Sequence, residues 1–247
     1  MRAIIFDTET DGIAKDRMAC DIGLIEIDPV TLEEIGRAES LLNIGKPIPP
    51  EVTAIHGITD EMLVGQPTIE EWVQSVLGGR IEGEVALIGH RIDFDLPMFA
   101  PIGDAAWTVD TLLLTQLFLD VTTANRKLDT LKEALALPGG GQSHRAMADC
   151  MTCHQLLQYL MPLTGRTLED IAKTEIFMLH EMPWGKHEGT PLMQVPRKYR
   201  QWLMELDNLD RHLKYSLEQV AKTDIPLPKP GAPRATTRRI FIPPRRT

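Results

Sequence analysis

The chain opens with an unbroken apolar run, Ala3-Ile4-Ile5-Phe6, closed by Asp7-Thr8. A run this short, bounded by polar residues, predicts a strand buried on both faces. Residues 20–28 alternate and predict a second strand, and 32–43 predict a third. Residues 47–67 hold Pro, Gly and a short helix around Thr59 to Leu63, followed by a helix over 68–77. Val85 to Gly89 reads as another buried strand, with a helix near 93–100. Trp107-Thr108-Val109 reads as the last strand, with Asp110 capping the helix after it. Leu128, Leu131 and Leu135 mark one helix face, Pro138-Gly139-Gly140-Gly141 breaks it, and a long helix is expected from about Ser143 to Met161. Strands early, helices late and alternation between them predict an α/β domain with both parallel and antiparallel pairing.

After about residue 165 the pattern changes. Residues 167–180 read as helical, Pro183 to Pro191 as turns, and 196–206 and 209–221 as two more helices. The Pro- and Arg-rich residues 223–247 lack apolar periodicity and read as an extended tail. The expected organisation is therefore a domain over 1–165, a small helical module over 166–222 and a basic tail over 223–247.

Composition narrows the class. No apolar run reaches the roughly 18–20 residues of a membrane span, and an acid arrives at Asp7, too early for a secretory signal. Three cysteines make no disulfide framework, so a cytoplasmic location is expected. Cys150 and Cys153 lack a second cysteine pair and read as packing thiols; with His154 they make no full zinc set. The net charge of −9 is uneven: residues 222–247 carry +6, leaving −15 on the rest. An acidic body suits a carboxylate site that holds cations, and a basic arm suits a polyanion or a partner.

Three acidic segments carry candidate chemistry. Asp7 and Glu9, two apart on a strand, point to one face, where their repulsion makes sense if a divalent cation lies between them; a solvated turn is the alternative, because Thr10-Asp11-Gly12 follows. His90-Arg91-Ile92-Asp93-Phe94-Asp95 follows a strand end, where open α/β sheets build sites; Asp93 would otherwise serve as a helix cap. In Ser143-His144-Arg145-Ala146-Met147-Ala148-Asp149, Ser143 suits a helix cap and His144 the first turn. On an ideal helix His144 and Asp149 stand some 140° apart, so they share a pocket only if His144 belongs to the glycine-rich loop.

The order Asp-x-Glu, distal Asp and His-x4-Asp resembles the DEDD family of 3′→5′ exonucleases, in its histidine-bearing, DnaQ-like branch on an RNase H-like fold. Phe6 to Gly12 matches the first motif, with Asp11 where Thr is common. His90 to Asp95 matches the second, with Arg91 in place of the usual Asn, and this register selects Asp95 over Asp93. His144 and Asp149 match the third, and Ile55 to Met62 resembles a loop of the group. The resemblance covers roughly residues 3–163. It implies a mixed five-stranded sheet flanked by helices and a 3′→5′ exonuclease acting on DNA in repair or replication. RNA is the alternative substrate, and a non-catalytic DNA or polymerase adaptor the alternative class. It further implies two Mg²⁺ ions, replaceable by Mn²⁺, about 4 Å apart at the scissile phosphate. Asp7 would bridge them, with Glu9 and Asp149 on the first and Asp95 on the second. His144 would be the general base, and Thr10, His56, His90, Arg91 and Phe94 would line the terminal nucleotide. Trp184 to Gly189, then Pro196, Tyr199, Trp202 and Leu203, resembles the C-terminal module of bacterial exonuclease X; a small core on Trp184, Tyr199 and Trp202 is a second reading. The tail from about Thr223, with Arg238-Arg239 and Arg245-Arg246 flanking Ile240-Phe241-Ile242, is expected to tether DNA or a polymerase or other replication partner.

Overall fold

The computed structural model describes residues 1–120, 123, 125–206 and 209–222; the tail and its expected role lie outside the described residues. The chain divides into two compact units, after Phe177.

In the first unit five strands, β1 (Arg2–Thr10), β2 (Ala19–Ile27), β3 (Glu34–Leu41), β4 (Ile81–Gly89) and β5 (Gly103–Asp110), form one sheet in the order β3-β2-β1-β4-β5. β1 pairs antiparallel with β2 and parallel with β4; β2–β3 is antiparallel and β4–β5 parallel. The apolar run of β1 takes the central place because both its faces are covered. Ala3 and Ile5 face one core, together with Ile25, Ile88 and Leu156; Ile4 and Phe6 face the other, with Leu24, Leu87 and Trp72. β3 lies at the edge, and its charged Glu34, Arg37 and Glu39 guard that edge against further pairing.

The helices of this unit are α1 (Pro50–His56), α2 (Asp60–Leu63), α3 (Ile69–Val76), α4 (Leu96–Phe99), α5 (Thr111–Phe118), α6 (Leu128–Ala134), α7 (Ala146–Thr164) and α8 (Leu168–Ala172). Asp110 caps α5 as expected, its carboxylate accepting the Leu112 N–H at 2.8 Å and also the Arg91 N–H at 2.9 Å. Thr68 and Glu71 close a capping box on α3. The first unit runs past residue 165 because Leu168, Ile171 and Ala172 of α8 are buried in the core that also holds Leu156 and Leu160. The helix expected over 167–180 stops at Ala172. Cys150 and Cys153 are buried in this same core, and burial raises both thiol pKa values, as packing thiols require.

Two features position α7. A Cβ on Gly23 would stand 2.7 Å from the backbone of Ala146 and Met147, so only glycine lets β2 meet the start of the helix. That start is Ala146 rather than Ser143. Ser143 caps nothing: its hydroxyl donates to Asp129 Oδ1 at 2.5 Å, and Arg145 holds the N-cap position.

The second unit holds 3₁₀ turns at Gly185–His187 and Leu192–Gln194, a bridge between Glu181 and Pro191, and helices α9 (Arg197–Met204) and α10 (Arg211–Lys222). Its buried side chains are mainly aliphatic: Leu179, Met182, Leu192, Val195, Leu203, Leu213 and Leu217. Trp184 and Trp202 stay 40% and 48% exposed, so the expected aromatic core is instead a surface feature. Among the described residues, no helix is long and apolar enough to cross a membrane.

Candidate active site

β1 leaves the hydrophobic core at Asp7. Strand periodicity turns Asp7 and Glu9 toward the face that α7 covers, and Thr8 toward the other. Asp7 lies opposite Gly23 and Glu9 opposite Asp21, so the two carboxylates meet a strand that has no bulk at one position and a third carboxylate at the next.

Asp95 reaches this strand end from the N-cap position of α4, yet it caps nothing. Its Oδ1 accepts the Thr8 hydroxyl at 2.6 Å and the Thr8 N–H at 3.1 Å. Asp95 is 4% exposed whereas Asp93 is exposed. The structure thus separates the two candidates: Asp95 is locked beside Asp7, and Asp93 faces solvent.

His144 precedes α7, with φ +59°. The 140° separation of an ideal helix therefore does not apply, and the left-handed residue brings the imidazole to the carboxylates. Ligating atoms of Glu9, His144 and Asp149 all lie within 4.8 Å of one another. Asp149 Oδ2 accepts the His144 N–H at 3.2 Å, and His144 Nε2 stands 3.9 Å from Asp129 Oδ2.

The electrostatics of this cluster are those of crowded acids. Burial, then Asp95, Asp149, Glu9 and Asp21, hold the Asp7 pKa well above the usual carboxylate range. Burial and the neighbouring acids push Glu9 up to about 8. Burial takes Asp95 to about 6 against the bonds from Thr8. Burial and Asp129 take Asp149 to about 6. Carboxylates that pay desolvation and repulsion together are stabilised by divalent cations, and an all-oxygen set with one adjacent imidazole fits hard ions such as Mg²⁺ or Mn²⁺.

The expected nucleotide-lining residues divide. His56 is buried, its Nδ1 accepting the Ile58 N–H at 3.0 Å while the ring also bonds the Thr10 backbone. Thr10 donates its hydroxyl to the Gly12 carbonyl at 2.7 Å. His90 sits between Thr111 Oγ1 at 3.0 Å and the Arg126 carbonyl at 2.8 Å, and burial lowers its pKa to about 4. Neither ring keeps a free nitrogen for a nucleotide. Phe94 is half-buried beneath the Arg17 guanidinium, 4.2 Å from its ring centroid. Arg91 is exposed at φ +69°, and among the described residues no ion pair joins it to Asp93. Asp11, the departure in the first motif, pairs with Lys46 and accepts the Met18 N–H at 2.6 Å.

Asp21 and Arg145 escaped the sequence reading. Asp21, 3% exposed, accepts Arg145 Nε at 2.8 Å and the Ala146 N–H at 3.3 Å, which pins the start of α7 and the segment carrying His144. The sequence signal was slight: Asp21 is one of two acids, with Glu26, in a strand that is otherwise apolar. Asp21→Asn is expected to lower kcat by about 10–100-fold, as loss of a supporting partner typically does. Steady-state kinetics at saturating Mg²⁺ would show it, and unchanged kcat would make the pair merely structural.

Comparison with known proteins follows this geometry. The family model described as "Exonuclease" matches residues 4–157. A second model, whose description names a quorum-sensing-regulated virulence factor, matches 167–226. Exodeoxyribonuclease 10 of Escherichia coli strain K12 is 27% identical over 224 residues, covering 87% of this chain and 96% of that protein. Among solved structures, exonuclease X in complex with 5′ overhanging duplex DNA superposes with a TM-score of 0.54 at 24% identity, covering 69% of this chain and 97% of that one. The nuclease domain of 3′hExo, a DEDDh family member bound to rAMP, gives 0.51 at 14% identity, covering 65% of this chain and 92% of that one. These structures share the fold, a mixed five-stranded sheet flanked by helices.

Proposed function

The chain belongs to the exonuclease family, and from that premise we propose that it hydrolyses DNA from the 3′ end, releasing nucleoside 5′-monophosphates with divalent metal, Mg²⁺ by preference. The observation that carries this reading is the cluster of Asp7, Glu9, Asp95 and Asp149, with His144 at its rim. The relative named exodeoxyribonuclease 10, similar along almost its whole length, favours DNA over RNA.

In this mechanism Asp7, Glu9, Asp95 and Asp149 would hold the divalent ions. The bound cations supply charge stabilisation at the scissile phosphate and acidify the attacking water. His144 takes the water's proton as general base. Its left-handed backbone, its N–H bond to Asp149 and the Ser143–Asp129 bond hold the segment that carries the imidazole beside Glu9 and Asp149. Thr8 keeps Asp95 turned to the strand end through two bonds to one oxygen. Arg91 and Phe94, the candidates still open to solvent or partly so, contact the terminal nucleotide.

A single experiment tests the reading. Single-stranded DNA, duplex DNA and RNA, labelled at the 5′ end, are incubated with and without Mg²⁺. The expected result is stepwise shortening of DNA, with Mg²⁺ only. Internal cleavage, or an RNA ladder without a DNA one, would contradict it.

The second motif gives a sharper prediction. Asp95→Asn is expected to lower turnover by at least about 10²-fold, because the amide keeps the shape but loses the charge beside the ions, and each tenfold costs 1.36 kcal/mol. Asp93→Asn is expected to leave turnover unchanged. Parallel rate measurements on the two variants check this, and the reverse order would mean that Asp93 is the ligand.

A further inference from the structure

The second unit carries a surface that the hydrolytic mechanism does not use. Helix α9 buries Leu203 and presents Tyr199 and Trp202, three apart and therefore on one side of the helix. Their ring centroids lie 5.3 Å apart, and His187 adds a third ring, edge-on to Tyr199 at 4.7 Å. This is a continuous run of π surface, with Trp202 half in water. Contiguous apolar surface of this kind marks contact with something else.

A cation beside it points to what that is: exposed Lys198 stands one turn before Trp202. α9 contains Arg197, Lys198 and Arg200 and no acid. Arg197 and Lys198 are exposed. Among the described residues no carboxylate pairs with any of the three, and Arg200 Nε is shielded from water without an acceptor. A single nucleic-acid strand offers both missing partners at once, a phosphate for the cation and planar bases for the rings. An acidic peptide would answer the cation and leave the rings without stacking partners.

We propose that His187, Tyr199 and Trp202, with Lys198 one turn before Trp202, form a stacking platform for single-stranded DNA. The inference rests on the reading of the chain as a DNA exonuclease and extends it: the second unit holds strand that the nuclease domain does not.

The test uses the full chain. Affinity for a fluorescent oligothymidylate, measured in EDTA so that nothing is cut, is expected to fall about tenfold in Trp202→Ala, the usual scale for one lost base stack. Lys198→Gln, an exposed change that spares the core, is expected to flatten the slope of log affinity against log salt by about 0.7 for the lost contact. Trp202 fluorescence should also be quenched on binding, and hydrolysis of a dinucleotide should be unchanged in both variants. Unchanged affinity and salt slope in both variants would overturn the platform. So would displacement of the oligonucleotide by poly-glutamate as readily as by DNA, which would assign the surface to an acidic protein. A wild-type chain that cuts neither dinucleotide nor long strands, but loses binding as described, would support the platform and overturn the exonuclease reading instead.

Discussion

Asp7→Asn abolishes nuclease activity and raises the melting temperature of the metal-free protein. Activity falls by at least about 10³-fold, because the residue at the centre of the cluster no longer helps hold the ions, whose charge stabilisation amounts to several kcal/mol. The stability gain comes from the same charges. Asp7, Glu9, Asp95 and Asp149 all have native pKa values raised above those of free carboxylic acids, chiefly by burial. For such groups the native state binds more protons than the unfolded one, so stability is present in acid and is lost as pH rises. The loss begins near the ordinary carboxylate values and continues through about 6 for Asp95 and Asp149 and about 8 for Glu9. Without metal, the wild type should therefore lose stability steadily across this window and Asp7→Asn should lose less. Each kcal/mol of repulsion relieved is worth about 2–4 °C in melting temperature at this size. Scanning calorimetry in EDTA at several pH values measures it. Added Mg²⁺ should close most of the gap by stabilising the wild type alone. Equal melting profiles at every pH would contradict the crowded-acid account.

His144→Asn lowers kcat by about 10²–10⁴-fold, the usual contribution of a general base, while DNA affinity in Ca²⁺ changes little. Asparagine is the informative substitution because it tolerates the left-handed backbone found at this position, so the change removes the imidazole and not the turn. A rate near wild type in the variant would assign proton removal elsewhere.

The parts of the molecule legible in the sequence are those where one local rule acts unopposed. The run Ala3 to Phe6 had to be a strand covered on both sides, and it is the centre of the sheet. Asp110 was readable as a cap because a strand ends and a helix starts there. Asp7 and Glu9 on one face followed from strand periodicity alone. Other features depended on contacts between distant segments. Helix α1 (Pro50–His56) is only seven residues long and buries His56 alone, too short a stretch to show a helical period. Ser143 looked like a cap but is drawn away to Asp129, which delays the start of α7 and leaves His144 outside the helix. Asp95 shares its neighbourhood with Asp93, and the choice between them needed the family register; in the structure it rests on Thr8, eighty-seven positions away. Asp21 gave no sign that it binds the start of a helix more than a hundred residues later. In the second unit, Trp184, Tyr199 and Trp202 satisfied the composition of a small core, yet Leu203 and Val195 occupy the interior and leave the two tryptophans outside.

The central claim is that the carboxylates at the end of β1 hold two divalent ions and that His144 is a base beside them and not a ligand. Anomalous diffraction from crystals grown with Mn²⁺ tests it directly. The account predicts two Mn²⁺ peaks among Asp7, Glu9, Asp95 and Asp149, no bond from His144 to either, and loss of both peaks in Asp7→Asn. A single peak bound by Glu9, Asp149 and the His144 imidazole, or no peak at these residues, would contradict it.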